Sequence, residues 1–324
     1  MRKISLLAVS LLLLVVAAAG CKPDNAATNA GTKPAASATG TFLEMTDAAK
    51  RHVALAKKPE RVVIMAPSIL NYAAAVDGKI VGRPSARQAE IPEVYSKVEE
   101  IGHVFNVNLE KVVGLKPDLV LMNAQQNSKF SKMMETNQIP AIVLQPKTYD
   151  EIKAAMVTVG KIYGSENAAV MKNKEMDDAI AAVISKLPKE HNRKIVILHA
   201  TPSTVTVELE NSIAGGMAKM LGFTNIAAGS TAIQGKPERT PYSMEALVEN
   251  NPDIIFITTM GAKDKIEKRL QSDVQGNPAY AALQAVNNNR VFVLPEELFL
   301  LTPGLRYPEA IEMMAKDVFP DSFK

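Results

Sequence analysis

His103 stands two residues before Phe105 in Gly102-His-Val-Phe105, a stretch that reads as a loop. An imidazole with an aromatic neighbour suits the axial position of a haem iron. A loop histidine with no ligand is the ordinary alternative. Arg83 and Arg87 lie in Gly82-Arg-Pro-Ser-Ala-Arg87. A guanidinium is a rigid fork of donors that matches carboxylate or catecholate oxygens, so the two could grip a ligand rich in either, or be solvated loop charges. Arg239 and Tyr242, in Glu238-Arg-Thr-Pro-Tyr242, could do the same from farther along the chain, and a Tyr242 phenolate is a further possible iron ligand. Met65 supplies a thioether, but it sits in an apolar run where methionine usually fills core gaps. Of the other histidines, His52 is near a polar N-terminal stretch, His191 is in a charged turn and His199 ends a strand, facing either core or cleft. Histidines this scattered do not supply the three or four converging side chains that a bare metal ion requires.

The elements that must position these groups are short apolar runs alternating with helical patterns. Strands are read at 61–66, 80–82, 118–123, 141–144, 194–200, 204–209, 253–259 and 290–294. Such alternation predicts an α/β fold with mostly parallel sheets covered on both faces. One pattern is written twice. Pro67 and Pro202, Ser68 and Ser203, Glu110 and Glu245, Pro117 and Pro252, and Asp118 and Asp253 share an offset of 135 positions. Two lobes built alike follow. Between them runs a helical pattern from Tyr149 to Leu187, opened by the capping box Thr148-Tyr-Asp-Glu151 and bent or broken once at Gly160 or Gly164. Ligands of open parallel sheets sit beyond the carboxyl ends of the strands, so the loops at 66–71, 83–90, 102–107, 123–127, 200–203, 239–243, 259–262 and 295–306 are expected to line an interlobe cleft.

Composition narrows the function. The 324 residues carry 37 Lys and Arg against 34 Asp and Glu, a balance that offers no basic stripe for nucleic acid. One cysteine excludes an internal disulfide, a four-thiolate zinc site and an iron–sulfur cluster. Arg2-Lys3 followed by the apolar run Ile4 to Ala19 reads as an export signal, too short to span a bilayer. Cys21 directly follows Ala18-Ala19-Gly20 and resembles the bacterial lipoprotein cleavage box, in which that cysteine is lipidated and two acyl chains hold the protein to a membrane. The expected organisation is a signal peptide at 1–20, a lipidated Cys21 and tether to 50, an N-terminal α/β lobe at 51–147, a linking helix at 148–188 and a C-terminal α/β lobe at 189–324.

The pieces Arg61-Val-Val with Ala66-Pro67-Ser68, Ile80-Val-Gly82, Ile101-Gly102, Asn108-Leu-Glu-Lys with Leu115-Lys-Pro-Asp118, Leu221-Gly222 with Asn225-Ile226, Ser243-Met-Glu with Asn251-Pro-Asp253, and Pro303-Gly-Leu-Arg306 together resemble the class III substrate-binding proteins of ABC importers. That family serves iron–siderophores, haem and cobalamin. The resemblance implies two lobes joined by a long helix and a binding role without catalysis or cofactor. It also implies delivery of an iron complex to a permease and its ATPase, and a monomer anchored outside the cytoplasm. Haem-binding relatives carry a ligating residue near Thr259-Met-Gly261, which makes Met260 a candidate axial ligand opposite His103. Haem is favoured slightly over a ferric siderophore. A corrinoid is third, because the chain has no Trp and limited aromatic surface. The family's docking glutamates, one on each lobe, fall near Ser128 and Gly216, with Glu135, Glu208 and Glu210 as nearby acids. Arg306 is expected to be structural. An extracytoplasmic enzyme or a sensor on the same frame is the alternative class, but Gly-x-Ser-x-Gly, His-Glu-x-x-His and Gly-x-x-x-x-Gly-Lys are all missing.

Overall fold

The computed structural model describes residues 40–86 and 91–324. Cys21, the apolar start, most of the tether and Arg87 lie outside the described residues. Gly40–Lys324 is one unit, and it contains two six-stranded sheets and one two-stranded sheet.

The first sheet uses β3 (Val62–Ile64), β4 (Ile80–Ser85), β5 (Glu100–His103), β6 (Asn106–Val107), β7 (Leu119–Asn123) and β8 (Ala141–Leu144) in the order β6-β5-β4-β3-β7-β8. All neighbours are parallel except β5 and β6. Helices α1 (Pro67–Ala74), α2 (Leu109–Gly114) and α3 (Ser131–Thr136) belong to this lobe, and an antiparallel hairpin of β1 (Leu43–Thr46) and β2 (His52–Leu55) precedes it. After α4 (Tyr149–Ile162) and α5 (Glu166–Ser185) comes the second lobe. Its elements are β9 (Lys194–Ala200), β10 (Val205–Glu208), α6 (Ile213–Met220), β11 (Thr224–Asn225), β12 (Arg239–Pro241), α7 (Met244–Asn250), β13 (Ile254–Thr259), α8 (Lys263–Leu270) and β14 (Val291–Leu294). They form a sheet ordered β12-β10-β9-β13-β14, with β11 beside the start of β9. Here β10 runs antiparallel to both of its neighbours.

The continuous apolar runs are those of strands buried on both faces. Val62, Ile64, Leu119 and Leu121 join one apolar cluster, and the alternate residues Val63, Met65, Val120 and Met122 join another. In the second sheet Ile195, Ile197 and Phe256 belong to the same first cluster, while Val196, Leu198 and Ile257 face a third. One core therefore passes through both lobes. It also takes in α1, α4, α5, α6 and the C-terminal helix Tyr307–Val318.

The break expected in the linking helix falls where Gly164 takes a φ of +65°, and leaves two helices. Gly160 lets them close into a hairpin, since a Cβ there would lie 2.5 Å from the Ala169 Cβ. Tyr149 Oη donates to Asp177 Oδ1 at 2.8 Å and Lys153 Nζ reaches the same oxygen at 3.1 Å, tying the far ends. Next, the tether cannot extend to residue 50, because Leu43–Thr46 is a strand. Finally, Pro67 opens a helix, but Pro202-Ser203 lies in the tight turn between β9 and β10, where Thr201 Oγ1 accepts from the Thr204 backbone N–H at 3.1 Å.

Asp47 explains why the β1–β2 hairpin belongs to the first lobe. Its buried carboxylate accepts from the backbone N–H groups of Ala49 (2.9 Å), Arg51 (3.0 Å) and Val143 (3.1 Å), and pairs with Arg51 Nη2 at 2.6 Å. Burial alone would raise its pKa, but the Arg51 guanidinium and the backbone donors outweigh burial and hold it below the ordinary 3.8. A depressed carboxyl pKa contributes stability that is complete above the unfolded value and lost as pH falls through the folded one. Asp47→Asn is expected to lower stability by about 2–3 kcal/mol at pH 7, and urea titrations should show that difference shrinking below about pH 3.8.

Candidate ligand-binding site

Two contacts show how the lobes meet. Gly304, in the segment after β14, lies against α1, where a Cβ would come 3.5 Å from both the Ser68 carbonyl oxygen and Tyr72 Oη. Lys147, just past β8, pairs with Glu238, just before β12, at 3.5 Å. Segments at the carboxyl edge of the first sheet thus touch the second lobe.

On the first lobe, His103 ends β5 and is exposed. Its ring centroid is 5.8 Å from that of Phe105, which is 52% exposed. Lys129 Nζ donates to the Phe105 carbonyl at 2.9 Å and ties this loop to the one after β7. Beneath them Asn127 is fully buried. Its Oδ1 accepts from the Asn123 N–H at 2.7 Å and its Nδ2 donates to the Met65 carbonyl at 2.7 Å, fixing the exit of β7 to the end of β3. Asn123, Asn127 and Lys129 belong to no motif that marks them in the sequence. Two polar residues at the end of an apolar strand were the available signal.

Arg83 and Met65 are corrections. Arg83 is only 5% exposed, and its guanidinium donates to the carbonyls of Tyr95 (2.9 Å) and Ser96 (3.0 Å) and pairs with Glu100 at 2.9 Å. It secures the segment between β4 and β5, and its burial and these partners make it scaffold. Met65 is wholly buried in the apolar layer.

On the second lobe, Met260 follows β13 and is 42% exposed. Its backbone N–H donates to Ala200 at 3.1 Å, and Gly261, at a φ of +123°, leaves the room that Pro202 occupies. Tyr242 is half-buried with its hydroxyl turned to Met244 Sδ at 3.7 Å. Burial first, then the charges of Asp273 and Glu245, push its pKa up to about 12, so it remains a phenol near neutrality. Arg239 keeps a buried Nε without a partner. His199 faces the core. Its Nδ1 lies 3.0 Å from Thr258 Oγ1, whose hydroxyl donates to the buried Glu208. His52 pairs with Glu44 at 3.2 Å, and His191 Nδ1 lies 2.7 Å from the Pro188 carbonyl. Arg306 pairs with Glu309 at 2.7 Å. Among the described residues no three His, Cys, Asp or Glu side chains gather as ligands for a metal ion.

The acids near the expected docking places are buried or already paired. Ser128 spends its hydroxyl on the Ala124 carbonyl at 2.7 Å, and Gly216 is within α6. Glu208 is buried, Glu210 pairs with Lys219 at 2.9 Å and Glu135 pairs with Arg51 at 3.3 Å. Glu110 and Glu245, related by the internal offset, are both exposed and make no ion pair among the described residues.

Residues 63–298 match the family described as periplasmic binding protein. The chain belongs to that family. Its two joined α/β lobes are of the class III type, and the family comprises the substrate-binding proteins of transporters. Three Bacillus subtilis and Staphylococcus aureus proteins are similar to this chain. An uncharacterised ABC transporter substrate-binding lipoprotein, YvrC of B. subtilis strain 168, is 28% identical over 97% of each chain. The Fe(3+)-citrate-binding protein YfmC of the same strain is 28% identical over 80% of each. The high-affinity heme uptake system protein IsdE of S. aureus strain MRSA252 is 25% identical over 74% of this chain and 80% of its own. No described helix is long and apolar enough to cross a membrane.

The bonding of Arg83 separates scaffold from site. Arg83→Met should cost about 2–4 kcal/mol in chemical denaturation, because it strands the carbonyls of Tyr95, Ser96 and Pro84 that the buried guanidinium satisfies. The folded variant should bind ligand as the parent does, as measured by titration of the purified protein.

Proposed function

We propose that this periplasmic binding protein is the substrate-binding lipoprotein of an ABC importer for an iron complex, with haem as the favoured ligand. One observation carries the choice. The exposed imidazole of His103 and the exposed thioether of Met260 stand at the carboxyl edges of different lobes, and these two groups serve as axial ligands of haem iron in proteins. Phe105 offers the macrocycle a ring face. Arg239, and Arg87 outside the described residues, would meet its propionates as charge-assisted pairs. Binding would rest on cleft burial plus these contacts, with no bond made or broken in the ligand. Likeness to IsdE supports haem. Likeness to YfmC supports a second reading, a ferric carboxylate complex held by the same cations without His103 or Met260.

Lipidation at Cys21 would hold the protein on the outer face of a membrane, as the likeness to the lipoprotein YvrC suggests. The permease would be met by Glu110 and Glu245. They repeat at equivalent places on the two lobes, and opposite charge on a partner steers association.

Haemin titrated into the purified protein should give a shifted Soret band. His103→Ala and Met260→Ala should each weaken binding by about tenfold or more, the loss of one ligand contact worth at least 1.4 kcal/mol. An unshifted Soret band, together with fluorescence quenching by ferric citrate that neither substitution alters, would replace haem with the carboxylate complex.

A further inference from the structure

Two exposed valines repeat with Glu110 and Glu245, of which Glu245 accepts from Ser243 Oγ at 2.9 Å and neither makes an ion pair among the described residues. Val113 on α2 and Val248 on α7 are 39% and 45% exposed, and they stand at the same offset as Glu110 and Glu245. The helices that carry them are set alike. Asn108 caps α2 by accepting from the Lys111 N–H, and Ser243 caps α7 by accepting from the Ala246 N–H. Each helix buries one side chain, Val112 or Leu247, against its own lobe. Each is ended by a residue at positive φ, Lys116 at 48° and Asn251 at 39°. The aspartate that follows accepts backbone N–H groups of the neighbouring strand entrance, Asp118 from Arg61 at 2.8 Å and Asp253 from Lys194 at 2.8 Å. Residues three apart on a helix are surface neighbours, so each lobe shows solvent the same two-part footprint of one unpaired carboxylate and one bare valine.

An isolated exposed valine needs no explanation. A pair of them, repeated beside acids that make no ion pair among the described residues, one set on each lobe, fits a partner that itself presents one feature twice. We infer that Val113 and Val248 are the apolar anchors of the permease-docking face, each inserting beside its glutamate into one of two equivalent halves of the permease. Each half would offer a cation next to an apolar recess. The glutamates set the rate and salt dependence of encounter, and the valines, once desolvated, set how long the complex lasts. This rests on the importer reading above, but not on the identity of the iron complex.

The test places photoreactive benzoylphenylalanine at 113, 248 and 110, and at the exposed Val170 of α5 as control, in the full-length protein in its own cells. Irradiation followed by mass spectrometry should join 113, 248 and 110 to a membrane permease subunit and leave 170 unjoined. In purified membranes Val113→Ser with Val248→Ser should raise the concentration for half-maximal ATPase stimulation about tenfold, from lost apolar burial, with no change in ligand binding. Crosslinks from 110 without 113 or 248, or equal labelling from 170, would overturn the inference. Failure of all four positions to reach a permease would instead remove the importer reading, and this inference with it.

Discussion

The C-terminal helix Tyr307–Val318 cannot leave either lobe without opening the apolar cluster they share. Ile311, Met314 and Val318 lie in the same cluster as Ile64 and Leu121 of the first sheet and Ile197 and Phe256 of the second. Tyr307 meets Tyr149 across the joint, with ring centroids 4.8 Å apart. Burial of this kind is non-directional, but close packing makes it stiff. Two lobes joined through a common core and a helical hairpin have few soft dihedrals with which to swing. The seam is therefore set chiefly by folding, and a ligand has to fit it more or less as it stands.

That constraint explains what the loops do. Their backbones are tied down from below, by Asn127 under the β7 exit and by Arg83 between β4 and β5. The groups proposed to meet a ligand are few and chemically distinct: an imidazole, a phenyl ring, a thioether and the Arg239 guanidinium. A site with a stiff frame and a short list of soft ligands suits a large planar iron complex better than a hydrated ion, which needs several hard ligands to converge.

Much of this was legible in the sequence. All eight strands read from apolar runs exist, because strands buried on both faces leave a continuous signal. The missing strands, such as β5, β6 and β12, are short or at sheet margins, where Gly102, Asn106 and Pro241 dilute it. The lobe duplication was readable from Pro117, Asp118 and their partners, since turn and cap chemistry constrain residue type tightly. The fate of individual side chains was not. Arg83 reads as a ligand donor and His199 as facing either core or cleft, and only tertiary structure shows that carbonyls hold the first and that Nδ1 of the second turns inward to Thr258. The acids now proposed for docking, Glu110 and Glu245, already stood in the repeat, while the alignment pointed to places near Ser128 and Gly216.

The central claim is that one ligand contacts both lobes at the seam. Hydrogen–deuterium exchange with and without haemin tests it most directly. Slowed exchange is expected together in residues 103–107 of the first lobe and 259–262 of the second. Slowing confined to one lobe, or found only away from these loops, would contradict the account.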